Sequence, residues 1–151
     1  VSRNAVIDYC LDGLRAEAAL QGVRVLRGVH EEHERSVYVA VGVLVDGTLT
    51  IPTMKAGRKD FDDKWVLPFW INVFSERADG TDWVAQRYDD LFTAVVSWVQ
   101  DNVTAISTLP DVLSIGGDDN EIRTTLTGPG SDENGTRAFG SIELPIHQRL
   151  N

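Results

Sequence analysis

The stretch that decides the fold is "WVLPFWINVF", residues 65–74. In an extended chain successive side chains point to opposite faces. One face therefore receives Trp65, Leu67, Phe69, Ile71 and Val73, and most of the other is Val66, Trp70 and Phe74. Both alternating sets are apolar, so this segment reads as a central strand covered on both sides. One cover is the core of the domain. The second is either a loop or hairpin of the same chain or a partner subunit, because a soluble monomer rarely leaves two large aromatics and a valine contiguous and exposed. Val66, Trp70 and Phe74 are the candidate subunit interface on this reading.

The segments on either side supply the first cover. Downstream, residues 79–103 read as a helix capped at Asp79 or Thr81. Val84, Tyr88, Leu91, Val95 and Trp98 recur at helical intervals, and Phe92 and Val99 widen the stripe. At the start of the chain, Ser2 to Leu20 forms a second amphipathic helix, with Ser2 as cap and Gly22 as stop. Val6, Ile7, Cys10, Leu11, Leu14 and Ala18 lie on its apolar face. Cys10 sits within that stripe with no histidine near it in sequence, which marks a buried structural thiol rather than a nucleophile.

Strands fill the remainder. Val23 to Arg27 and Ser36 to Val45 read as extended; in the second, Val37, Val39, Val41, Val43 and Val45 share one face. Asp46-Gly47 is a hairpin-turn signal. Beyond the long helix come Val112 to Ile115, a Gly116-Gly117 break, Ile122 to Thr127 and Ala138 to His147. In the last, Ile142, Leu144 and Ile146 alternate with Ser141, Glu143 and His147, a one-sided pattern. "GPGSDENGT", residues 128–136, reads as a mobile hairpin tip on account of its Gly, Pro and acidic content. The order helix, strands, helix, strands gives a single α+β domain over residues 1–151, a mainly antiparallel sheet with two helices packed on one face.

The segment most open to a chemical reading is "GVHEEHERS", residues 28–36, where two of the three histidines in the chain stand among glutamates. A helical zinc motif sets its histidines four apart so that both imidazoles leave one face. His30 and His33 are three apart, between two strand-like segments, so the stretch reads as a solvated polar connection. Asp60, Asp62 and Asp63 resemble the opening of a calcium loop, but Ile71 stands where its bidentate glutamate belongs; these carboxylates also read as solvated. No nucleophile elbow, phosphate loop or dinucleotide fingerprint is present. The expectation is a protein with no catalytic residues, no metal and no cofactor.

Composition narrows the partners. The 151 residues carry a formal charge of −9, which opposes a dedicated nucleic-acid binder, since such a surface must neutralise phosphates. The single cysteine suits a reducing compartment. No apolar run approaches membrane-spanning length, and neither a leader nor a lipidation pattern is read at either end.

A resemblance gives this outline a function. A leading helix comes first, then "IPTMKAGRKDFDDKWVLPFWINVFSE", in which a Gly-Arg-Lys turn, Ala56 to Lys59, enters the apolar strand. The helix "DGTDWVAQRYDDLFTAVVSWVQDN" and a closing strand pair ending "SIELPIHQRL" complete it. In order, length and texture the chain resembles the tail terminator proteins of long-tailed bacteriophages, especially those of actinobacterial hosts. The resemblance implies a structural virion protein at the head-proximal end of the tail. Such proteins form a hexameric ring that halts tail-tube polymerisation and meets the head connector. The partners implied are copies of itself, the tail-tube protein and a connector or stopper protein, with DNA only in passage through the lumen and no membrane. A different neck protein of the same particle, a head–tail stopper or connector, is the nearest alternative, and a metal-dependent enzyme is a distant third. A closed ring needs two different faces on each subunit, and an apolar strand face supplies one. Acidic charge suits a lumen that must pass DNA without holding it.

Overall fold

In the computed structural model, residues 3–29, 33–42, 48–50, 61–117 and 120–150 are described, 48–50 and 150 by their backbone alone. The elements in chain order are α1 (Arg3–Ala16), a 3-10 turn (Ala18–Leu20), β1 (Arg24–Arg27), β2 (Tyr38–Val41), β3 (Thr48–Thr50) and β4 (Phe61–Ser75). They are followed by α2 (Thr81–Ser107), β5 (Val112–Ile115), β6 (Arg123–Asp132) and β7 (Gly135–Leu150). The fold is α+β, as the element order implied.

The sheet is built on one long pair. β4 and β7 run antiparallel in unbroken register from Phe61 opposite Leu150 to Ser75 opposite Thr136. β2 and β3 pair with successive parts of β4, and β5 and β6 with successive parts of β7; β1 lies outside β2. All pairings are antiparallel except β1 with β2.

The odd-numbered side chains of β4 fill the core. Trp65, Leu67, Phe69, Ile71 and Val73 are buried together with Val39, Val41, Ile142, Leu144 and Ile146 of neighbouring strands. α1 adds Val6, Cys10, Leu11 and Leu14, and α2 adds Val84, Tyr88, Leu91, Val95, Trp98, Val99 and Ile106, so both helices cover this one face. Burial of the Cys10 thiol pushes its pKa up to about 12, which leaves almost no thiolate at neutral pH.

Three expectations change. First, β4 begins at Phe61 rather than Trp65, so inward parity extends back to Asp63. Asp63 is fully buried and not solvated; Arg3 Nε and a terminal guanidinium nitrogen donate to its two oxygens at 2.6 Å each. The same guanidinium lies 5.3 Å from the centre of the Trp65 ring, so the pair seals one end of the core. Asp62, on the opposite parity, lies 3.2 Å from His147 Nε2 and is mostly covered.

Second, "GPGSDENGT" is not a loose tip. β6 continues to Asp132 and β7 starts at Gly135, which leaves Glu133 and Asn134 as the turn. Asp132 Oδ1 accepts the Asn134 backbone N–H at 2.7 Å. The hydroxyl of fully buried Thr136 donates to the Arg77 carbonyl at 2.8 Å, tying the hairpin to the β4–α2 connection. Backbone pairing and this anchor override the flexible composition.

Third, the long helix starts at Thr81 with Gly80 as its cap residue, and runs to Ser107. A Cβ at Gly80 would stand 2.8 Å from Ser75 Oγ, so the tight turn excludes a larger residue there. Asp79 instead pairs with Arg77 at 3.1 Å. At the first helix, Ser2 lies outside the described residues, as do the Asp46-Gly47 turn, Val43, Val45, Asp60 and the Gly-Arg-Lys segment.

Gly13 sets how closely α1 approaches α2. A Cβ there would lie 2.3 Å from a ring carbon of Trp98, which itself packs near Tyr9 and Phe69. Gly13→Ala gains about 1 kcal/mol of helix propensity. Forcing Trp98 aside costs about 1–3 kcal/mol, so a net loss of stability is expected. Urea unfolding should show a lower midpoint at unchanged slope, with altered tryptophan emission; a raised midpoint would mean that the helices separate freely.

Candidate interaction surface

The even-numbered side chains of β4 face away from the helices. Val66, Trp70 and Phe74 fall on this one face, across from Pro145, Ser141 and Arg137 of β7. Eight residues of strand set the outer two about 27 Å apart. All three are half-buried.

The cover at Asn72 comes from the same chain. β1 and β2 are parallel, and residues 33–37, leading into β2, lie against the helix-free face. Asn72 is fully buried there, its amide donating to the carbonyls of Glu34 at 2.9 Å and Ser36 at 2.7 Å. With its nitrogen engaged by two acceptors, its oxygen takes the Arg137 Nε–H at 2.6 Å. Arg137 also pairs with Glu34 at 3.0 Å and lies 4.8 Å from the centre of the Phe139 ring. Tyr38, fully buried beside this group, has its phenol pKa raised by burial, an effect Arg137 opposes. Residues 33–37 thus form a strap. His33 lies on it with Nδ1 2.9 Å from an Arg24 guanidinium nitrogen; arginine only donates, so Nδ1 accepts. His30 lies outside the described residues.

The strap divides the candidate residues. On one side Trp70 stacks on Phe139, 5.3 Å between ring centres and 4° between planes, and its indole N–H reaches the Gly42 carbonyl at 3.1 Å. On the other, Phe74 stands between two clefts. One, of about 490 Å³, is lined also by Ser75, Arg77, Asp79, Gly80, Asp82 and Trp83. The other, of about 220 Å³, includes Glu34, Arg35, Asp132, Asn134 and Arg137.

Sequence reasoning missed Phe139, Arg137 and Trp83. Phe139 carried a usable signal, an aromatic on the otherwise polar side of the last strand. Trp83 did too: it precedes the apolar stripe of α2 by one position and is 50% exposed. Arg137 carried none, since its hydrogen-bond partners Asn72 and Glu34 lie 65 and 103 positions away.

In chemical terms the surface offers flat aromatic contact, two clefts meeting at Phe74 and a polar frame. These suit macromolecular contact. Among the described residues no three His, Cys, Asp or Glu side chains gather as a metal-binding group. No protein-family model matches the chain, and no curated protein matches it.

Arg137→Met retains an apolar stem over Phe139 but removes both polar contacts. The Asn72 oxygen then lies buried without its donor, a loss of about 1–3 kcal/mol. Hydrogen exchange should accelerate at residues 33–37 more than in α2; uniform exchange across both regions would show that Arg137 does not hold the strap.

Proposed function

We propose that this chain is a structural protein of a long-tailed bacteriophage, a tail terminator that assembles into a ring at the head-proximal end of the tail. It has no catalytic role in this reading. The observation that carries the proposal is the half-buried apolar row Val66, Trp70 and Phe74, joined by Phe139, on the face that neither helix covers, with the exposed Trp83 of α2 lining the cleft beside Phe74 at its end. A neighbouring subunit completes the cover that the strap begins. The order of elements supports the same reading, as does the resemblance in texture of residues 51–76 and 79–102 to tail terminators.

A ring requires a heterologous contact, in which one patch of a subunit meets a different patch of the next. The aromatic row is the first patch. The formal charge of −9 suits a ring through which DNA must move, because like charge keeps phosphate from adhering to the wall. Tail-tube protein would stack on one side of the ring and a connector or stopper protein on the other.

Two variants test the row. Trp70→Glu places a carboxylate within an apolar contact, and truncating a buried interfacial aromatic alone costs on the order of 2–4 kcal/mol. Trp83→Glu alters a residue already half-exposed, so folding is not at stake. Circular dichroism should report a native fold for Trp83→Glu, and native mass spectrometry, with and without tail-tube protein, loss of the ring in both variants. Normal rings from both would remove the row from the interface. Co-expression separates the neck proteins: a terminator caps tail-tube protein, whereas preferential capture of the connector would assign the chain as a stopper.

A further inference from the structure

β6 is an edge strand of the sheet, and no described element pairs with its outer side. Among the described residues it pairs only with β7, and every residue from Arg123 to Gly128 is exposed. The opposite edge of the sheet is treated differently: Arg15 donates two N–H groups to the Val25 carbonyl of β1, at 3.0 and 3.3 Å. An edge strand with free backbone groups is a template for another strand unless charge, proline or a bulge blocks it. In β6 the Gly128-Pro129 region, where the register shifts, interrupts the edge after Thr127. Arg123 to Thr127 stays regular.

The geometry of that segment identifies its partner. The Thr125 carbonyl turns inward toward β7, 2.3 Å from where a Cβ on Gly140 would stand. Backbone groups alternate along a strand, so Thr124 and Leu126 turn theirs outward. Thr124 and Leu126 share a side-chain face, which Ile122 would continue were the strand one residue longer, and Ile122 and Leu126 are 44% and 55% exposed. An antiparallel copy of the same strand can centre on a hydrogen-bonded or a non-hydrogen-bonded pair. Centred on Arg123, it sets the two arginines opposite each other; centred on Thr125, it sets Leu126 opposite Thr124 and leaves no apolar pair. Centred on Ile122, the pairing would leave the strand; centred on Leu126, it would run into Gly128 to Gly130. Centred on Thr124, it sets Ile122 of each copy opposite Leu126 of the other, Thr124 opposite Thr124, and Arg123 opposite Thr125. Both exposed apolar side chains gain an apolar partner, and the two Arg123 residues are not opposite each other.

We propose that the free chain forms a two-fold dimer by edge-to-edge pairing of β6, centred on Thr124. The contact is isologous and closes on itself, so it is separate from the heterologous ring contact and leaves the Trp70 face open. It occupies an exposed regular edge that would otherwise recruit strands indiscriminately.

The test uses the full chain in three forms. Sedimentation of the wild type, at concentrations below those at which rings form, should show dimer giving way to monomer on dilution. Thr124→Cys should be joined into a covalent dimer by a short bis-maleimide, while buried Cys10 does not react. Leu126→Lys, at an exposed position, should keep its circular dichroism and sediment as monomer. Wild type that stays monomeric at high concentration overturns the proposal. So does a dimer that persists in Leu126→Lys, or one in which Thr124→Cys fails to cross-link. Trp83→Glu separates this contact from the ring: it should retain the β6 dimer, whatever its effect on ring formation.

Discussion

The unbroken register between Phe61–Ser75 and Gly135–Leu150 is the constraint from which the rest of the molecule follows. These two strands are far apart in sequence, and the loop between them contains the long helix and the other hairpin strand. Once they are paired, parity assigns each of their side chains to the helix-covered face or to the open one. A slip of one residue would move Phe69 and Ile71 out of the core and Trp70 and Asn72 into it. The buried hydrogen bond from the Trp65 indole N–H to Gln148 Oε1 near one end and the Thr136–Arg77 tie at the other support that register at both ends of the pair.

The two faces are closed by different means. On the inner face two amphipathic helices meet over large apolar side chains, close enough that Gly13 must have no side chain beside Trp98. On the outer face the cover is a polar strap, residues 33–37, leading into Tyr38–Val41. Asn72 and Arg137 are the groups that receive it, each satisfying several partners at once. The aromatics on either side of the strap keep only partial cover.

Much of this was legible in the sequence because it rests on periodicity. The inward set from Trp65 to Val73, the stripe from Val84 to Trp98 and the alternation Ile142, Leu144, Ile146 each repeat at the interval of their element, and each is buried. The misreadings have one physical origin, which is that composition describes a segment in isolation. Asp63 looks solvated until the strand is known to start at Phe61, and residues 128–136 look loose until Thr136 finds Arg77. The same holds for the candidate surface. Val66, Trp70 and Phe74 were readable from parity, whereas Phe139 and the strap residues join them only through pairing across long stretches of chain.

The central claim is that the helix-free face of Phe61–Ser75 is completed by another subunit in a ring. Electron cryomicroscopy of the purified full chain, alone and mixed with tail-tube protein, tests it most directly. The account predicts closed rings in which Trp70, Phe139 and Phe74 lie at the boundary between adjacent subunits. Rings with those side chains facing solvent would contradict it, and so would a sample that at high concentration contains only monomers and two-fold dimers.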